Sequence, residues 1–203
     1  MAIKFQYNKT ALQRLDKQLK IRERALPVLQ NKESALRVEV KKAKDKAAAL
    51  EKEYNEQIDS YEKMARLWGE FDQSLVSISD VDLSSKKIAG VFTPVLEDIK
   101  FEINSENLFN QPVWFADGIV IIEKIAKIAI EREVFLRKME LLDFIRKKTT
   151  QKVNLYEKVQ IPGFQDAIRK IKRFLEDQEN LSKAAQKIIK DRQEKQRQEA
   201  EAI

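Results

Sequence analysis

The 203-residue sequence predicts a mainly α protein: a long antiparallel two-helix coiled coil with a small β-hairpin-containing middle segment. Three observations lead there. Glycine and proline are scarce, four of each, and a chain with so few turn-formers must be built from long elements. The common residues are Ala, Glu, Lys, Leu, Arg and Gln, which lose little side-chain freedom in a helix. Apolar residues also recur at a sustained 3.5-residue spacing, which keeps one seam of a helix facing a partner.

The N-terminal arm carries that spacing most clearly. Alternate steps of three and four give Leu12, Leu15, Leu19, Arg22, Leu26, Leu29, Glu33, Leu36, Val40, Ala43, Ala47, Leu50, Tyr54, Gln57, Tyr61, Met64 and Trp68. Fourteen of these seventeen positions are apolar. A helix of that length buries little against itself, so it needs a second helix. Thr10 or Asn8 is placed to cap its start. Arg22, Glu33 and Gln57 break the seam; polar groups there are costly in a dry core but can fix register. Pro27 gives up one backbone hydrogen bond and predicts a modest kink or local loosening.

The middle segment reads differently. Five of the eight glycines and prolines fall between Gly69 and Gly118. Val76, Ile78, Val81 and Leu83 stand among serines and aspartates, and Ile99, Phe101 and Ile103 alternate with Lys100 and Glu102. Period-two alternation predicts short strands. Gly90 and Pro94 lie between the two runs, so a hairpin or three-stranded patch is expected over 76–103, with Ser105 to Gln111 as a loop. Trp68 and Trp114 are expected as anchors beside it.

The C-terminal arm starts near Pro112, a residue favoured in a first helical turn. Its stripe includes Ile125, Ile128, Phe135, Met139, Leu142, Val153 and Tyr156. After Pro162 the stripe shifts by one position to Phe164, Ile168, Ile171 and Leu175, then resumes at Leu181, Ala184 and Ile188. Such a phase change marks an irregularity in a coiled coil. The polar end from Lys190 is expected to fray unless a partner holds it. The expected organisation is therefore an N-terminal coiled-coil helix over 1–75, a middle segment over 76–111, and a C-terminal coiled-coil helix over 112–203.

Composition narrows the function. The chain has no cysteine and no histidine, which removes thiolate metal sites, disulfides and the side chain that titrates most readily near neutrality. Its glycines are isolated, so no phosphate-cradling loop is present. Neither a catalytic residue, a cofactor nor a metal is expected. The net charge is +6, but 33 acidic residues are interspersed with 39 basic ones, the pattern of a solvated helix face rather than a nucleic-acid surface. The opening MAIKFQYNKT lacks the apolar core of a signal peptide. The apolar stretch near Gly118 is interrupted by Glu123, Lys124 and Lys127 and is too polar to span a bilayer. A cytoplasmic protein is expected.

Two stretches carry a resemblance. NKTALQRLDKQLKIRERALPVLQNKESALRVEV, from Asn8 to Val40, resembles the opening helix of the D subunits of vacuolar- and archaeal-type (V/A-type) rotary ATPases, including the lysine and Ala-Leu pair matched by Lys32, Ala35 and Leu36. KVNLYEKVQIPGFQDAIRKIKRFLEDQENLSKAAQKIIKD, from Lys152 to Asp191, is similar to the same family's later helix, matching at Val153, Asn154, Glu157, Ile161, Pro162, Ile168, Ile171, Glu176 and Lys190. Gln151 and Lys152 replace the family's usual arginine pair, Tyr156 stands where Leu is usual, and Pro27 is unusual; these departures point to a divergent bacterial branch.

The resemblance implies a central rotor stalk subunit with no catalytic site of its own. Its termini would sit inside a hexamer of ATP-binding A and B subunits. The β patch would hold the small F subunit, and that end would rest on the funnel-shaped d or C subunit above the membrane rotor ring. It implies neither nucleic-acid binding nor direct membrane insertion. Under this reading the seam residues Leu12, Leu15, Leu19, Leu26, Leu29, Leu36, Val40, Leu50, Met139, Leu142, Val153, Ile168, Ile171, Leu175, Leu181 and Ile188 hold the helices together. Lys4, Lys9, Arg14, Lys17, Lys183, Lys187, Lys190 and Arg192 are the expected contacts to acidic rims of the hexamer. The alternative is a basic coiled coil that binds membranes or nucleic acid, which liposome flotation and a two-salt gel shift would detect.

Overall fold

The structure is a computed structural model describing residues 4–104 and 112–201. It is mainly helical with a small two-stranded antiparallel sheet. Helix α1 spans Lys9–Tyr61, followed by a 3-10 turn, Glu62–Met64, and the short α2, Ala65–Trp68. A second 3-10 turn, Gln73–Leu75, leads into strands β1, Val76–Ile88, and β2, Val91–Ile103. Helix α3, Trp114–Leu155, passes through a π-helical turn, Tyr156–Gln160, into α4, Ile161–Glu201. The chain packs as two compact units, one from the two ends (1–30 and 150–203) and one from 31–149.

In the terminal unit, Asn8 caps α1, its side-chain oxygen accepting the backbone N–H of Ala11 at 2.6 Å. That satisfies one of the amides a helix start leaves without a partner. The core joins Leu15 to Phe164, Ala167, Ile168 and Ile171, with Phe5, Ala11, Leu12, Leu19 and Leu175 packed around it. The residues before the helix add to it: Tyr7 stacks on Phe174 with ring centroids 4.9 Å apart, and Phe5 meets Tyr7 edge-on at 5.3 Å. Pairing Tyr7 with Phe174 and Arg22 with Gln160 shows the two segments running antiparallel.

The one-position phase change has a structural cause. A π turn holds one residue more than an α turn. At Tyr156–Gln160 the N–H of Ile161 bonds to the carbonyl of Tyr156, five residues back. Pro162 follows and has no N–H with which to continue the α ladder. The inserted residue moves the stripe from the Val153–Tyr156 phase to that of Phe164 and Ile168. Pro27, by contrast, lies within the span of α1.

In the middle unit, Leu36, Ala43, Ala47 and Leu50 of α1 are buried, as are Ile128 and Leu142 of α3. Alanine at two seam positions lets backbones approach closely, since interhelical distance follows the size of the contacting side chains. Arg132 bonds to Glu51 at 2.7 Å and Lys46 reaches Glu131 at 3.8 Å. Both pairs join α1 to α3.

The hairpin fills the expected span, 76–103, with two strands rather than three. It has two strands of 13 residues each, paired from Val76↔Ile103 to Ile88↔Val91, with irregularities between Ile78 and Asp80 and between Asp82 and Leu83. The turn is Ala89 and Gly90, both at positive φ (48° and 80°), the geometry that matches strand twist in a two-residue hairpin. Pro94 does not interrupt the sheet; it stands inside β2 opposite Ser85. In a two-stranded ribbon each strand is an edge, so a residue without an N–H can point its bare nitrogen outward. The expected loop at Ser105 to Gln111 lies outside the described residues.

At the base of the hairpin, Phe71, Leu75, Phe115 and Ile119 form a second core with Trp68 and Trp114 packed on it. The two tryptophans meet edge-on at 6.0 Å. Gly118 admits this packing: a Cβ there would lie 2.9 Å from the Phe71 ring.

Candidate functional site

The described residues hold no cluster of acidic side chains able to bind a metal ion. The carboxylates that depart from their ordinary range are all pulled down by neighbouring donors. Asp143 is lowered by hydrogen bonds from Lys147 and then Arg146, and Asp82 by its hydrogen bond and charge pairing with Lys100. Glu179 is lowered chiefly by Lys183, and Asp72 by the backbone N–H of Ser74. These shifts run opposite to those of a general acid poised near neutrality. They are the signatures of ion pairs and a turn; two surfaces stand out beside them, an apolar seam and a basic set.

The seam is the first of these. All seventeen positions from Leu12 to Trp68 are buried or half-buried, including the polar exceptions Arg22, Glu33 and Gln57. On the returning arm of the pair, Leu142, Ile168 and Ile171 are buried, and Met139, Val153 and Leu175 are half-buried. The repeat extends further, to Leu181 and Ile188, and here the structure corrects it. Leu181 is 71% exposed and Ile188 54% exposed, and every residue from Glu176 to Gln198 is exposed. The reason is register: among the described residues the segment facing α4 ends with Phe5 and Tyr7, and Tyr7 already packs on Phe174. The polar end is nevertheless helical to Glu201.

The second surface is basic. Lys4, Lys9, Arg14 and Lys17 are exposed, as are Lys183, Lys187, Lys190 and Arg192. The fold brings part of this set together. Glu179 holds Lys183 at 2.9 Å and also feels the charge of Lys9 from the other arm. Lys4 and Arg14 flank a groove of ≈ 550 Å³ floored by Phe5, Leu15 and Phe164. Lys187, Lys190 and Arg192 lie further along the exposed helix.

Periodicity alone passed over the aromatic clasp of Phe5, Tyr7 and Phe174, because residues ahead of a helix carry no helical phase. Clustering of aromatics at Phe71, Trp114 and Phe115, in a chain only 8% aromatic, was the signal available for the second core.

Comparison with known proteins decides the family. The family model for the D subunit of ATP synthase matches residues 11–191. The chain belongs to the ATP synthase D-subunit family. A relative from Borreliella burgdorferi, named as a V-type ATP synthase D subunit, is 30% identical over 92% of this chain and 94% of its own length. The protein of the same name from Chlamydia abortus is 26% identical over 88% of each chain. The A-type ATP synthase D subunit of Thermococcus sibiricus is 25% identical over 87% of this chain and 89% of its own. The family match takes in the whole of the hairpin and both buried seams. No described helix of this D-subunit family member is long and apolar enough to cross a membrane.

Proposed function

We propose that this chain is the central rotor shaft, the D subunit, of a V-type ATPase or ATP synthase: a non-catalytic component that transmits torque between the A/B hexamer and the ion-translocating membrane ring. The observation that carries this reading is the D-subunit family match over residues 11–191. A shaft must resist relative twisting of its helices, and an interlocked apolar seam supplies that resistance. The buried leucines dominate its cohesion, each contributing roughly 1.5–3 kcal/mol.

The exposed part of α4 has a different task under this reading. Leu181, Ile188 and Ile189 are apolar yet exposed, which suits a helix enclosed by A and B subunits. The basic set Lys4, Lys9, Arg14, Lys17, Lys183, Lys187, Lys190 and Arg192 would meet their acidic rims. Exposed ion pairs contribute about 0–1 kcal/mol each, weak enough for contacts to be exchanged as the shaft turns. The middle unit, with its hairpin, would hold the small F subunit and the d or C subunit that joins the membrane ring. The complex is peripheral to the membrane on its cytoplasmic side.

A pull-down of the tagged chain from its native host tests the class: A, B and F subunits should be recovered together, and their absence would overturn it. Charge reversal of several of the eight basic residues should slow ATP-driven rotation in the assembled complex. Unchanged rotation would remove the assignment of those residues while leaving the class intact.

A further inference from the structure

Arg22 is a charged residue on the seam of α1, with buried Leu15 seven residues before it and half-buried Leu29 seven after. Its side chain makes two hydrogen bonds and lies over two aromatic rings. The Nε donates to Oε1 of Gln160 at 2.6 Å, across 138 residues of sequence. The Nη1 donates to the carbonyl of Gln18 at 3.0 Å. The guanidinium lies over the Phe164 ring at 4.6 Å and the Tyr156 ring at 5.8 Å. Gln160 and Tyr156 are the last and first residues of the π turn. The one charged residue of the seam in the terminal unit therefore meets the one place where the facing helix holds an extra residue.

We propose that Arg22 and the π turn Tyr156–Gln160 form a register lock that holds the terminal helix pair at a single axial alignment. An apolar seam alone does not choose its register sharply, because sliding one helix by a heptad returns leucines to similar holes. Two features remove that freedom here. The π turn breaks the repeat on one helix only, so a slide misaligns the layers on one side of it. Arg22 also finds its cross-helix acceptor in Gln160. One heptad away it would face the apolar layer of Ile168 and Ile171 or that of Val153, and its Nε would lose the Gln160 acceptor. A polar group at a seam position typically fixes register at a cost in stability, so Arg22 is a positioning residue.

That trade supplies a test a merely structural residue would not pass. The chain has no cysteine, so spin labels can be placed cleanly in the full-length protein at Gln30→Cys and Lys172→Cys, both exposed positions of the terminal unit. The parent should give one narrow distance distribution by pulsed electron paramagnetic resonance. Arg22→Leu should stay helical, melt at the same temperature or higher, and add a second population displaced by about one heptad of rise, roughly 10 Å. Gln160→Met, which removes the acceptor and keeps the volume, should broaden the distribution in the same sense. Arg22→Lys keeps the charge and loses the planar donor fork, and should fall between. If Arg22→Leu fails to fold, Gln160→Met decides. A single unshifted distribution in folded Arg22→Leu, or in Gln160→Met where that variant decides, overturns the proposal.

Discussion

Two stretches of the terminal unit carry the same kind of apolar repeat and meet opposite fates. Leu12, Leu15 and Leu19 pack into a core with Ile168 and Ile171. Leu181 and Ile188, which return by sequence to the phase of Val153 and Tyr156, stand 71% and 54% exposed. The stripe's phase differs by one position between the two, and among the described residues only the first has a facing segment. A heptad stripe is a statement of what a helix can bury, and the partner decides what it does bury.

The sharpest way to break that comparison is to place a charge at matched positions. Leu36→Asp and Leu50→Asp, at sites 0% and 2% exposed, bury an unpaired carboxylate and should destabilise the chain by about 3–5 kcal/mol. Leu181→Asp should change stability by less than about 0.5 kcal/mol. Circular dichroism melts compare the three, and equal losses would erase the distinction between paired and unpaired seam.

Truncation gives a smaller, graded version. Leu15→Ala should cost about 2–5 kcal/mol by leaving a cavity, whereas Leu181→Ala should be nearly neutral in the isolated chain. In the assembled complex the second value should rise if A and B subunits cover that face. Urea unfolding of the free chain against retention in the purified complex measures the difference.

Small residues test the comparison from the other side. Ala47 and Ala167 are 4% and 0% exposed, and enlarging either to leucine should cost about 1–3 kcal/mol by overpacking. Ala184, exposed on the unpaired stretch, should accept leucine without measurable loss in thermal denaturation.

The smallest effect is electrostatic. Asp143 is held below its ordinary value of 3.8 by hydrogen bonds from Lys147 and Arg146. Its folded value is depressed, so its stabilisation is fully present above the unfolded value and is lost as pH falls through the lower folded value. Asp143→Asn should therefore cost about 1 kcal/mol or less at pH 7, and that difference from the parent should close in the acid window below about pH 4. Carboxyl titration by nuclear magnetic resonance locates the midpoint, and a midpoint at or above 3.8 would contradict the caging.

Much of this was legible in the residues. The 3.5-residue repeat marks the helical arms because side-chain direction follows backbone period directly. Alternation marks strands at Val76 and Ile99 for the same reason. The shift after Pro162 shows in sequence as a change of phase, although its cause, a π turn, depends on hydrogen bonds the residues do not display. That β2 runs through Pro94 was hidden, because proline reads as a breaker until the ribbon is known to have only edges. Among the basic residues, charge type gives candidacy alone; that Lys9 and Lys183 share Glu179 is a fact of packing.

By itself, then, the sequence determined the helical arms, the intervening strands, the absence of cysteine and histidine chemistry, and the resemblance to rotary-ATPase D subunits. Those properties follow from residue identity and local period. Only the tertiary structure decided where the seam ends, which ring and acceptor receive Arg22, and how Gly118 lets Phe71 approach. Each of these depends on what lies opposite a side chain, and a one-dimensional pattern fixes the face a residue points from without fixing what it meets.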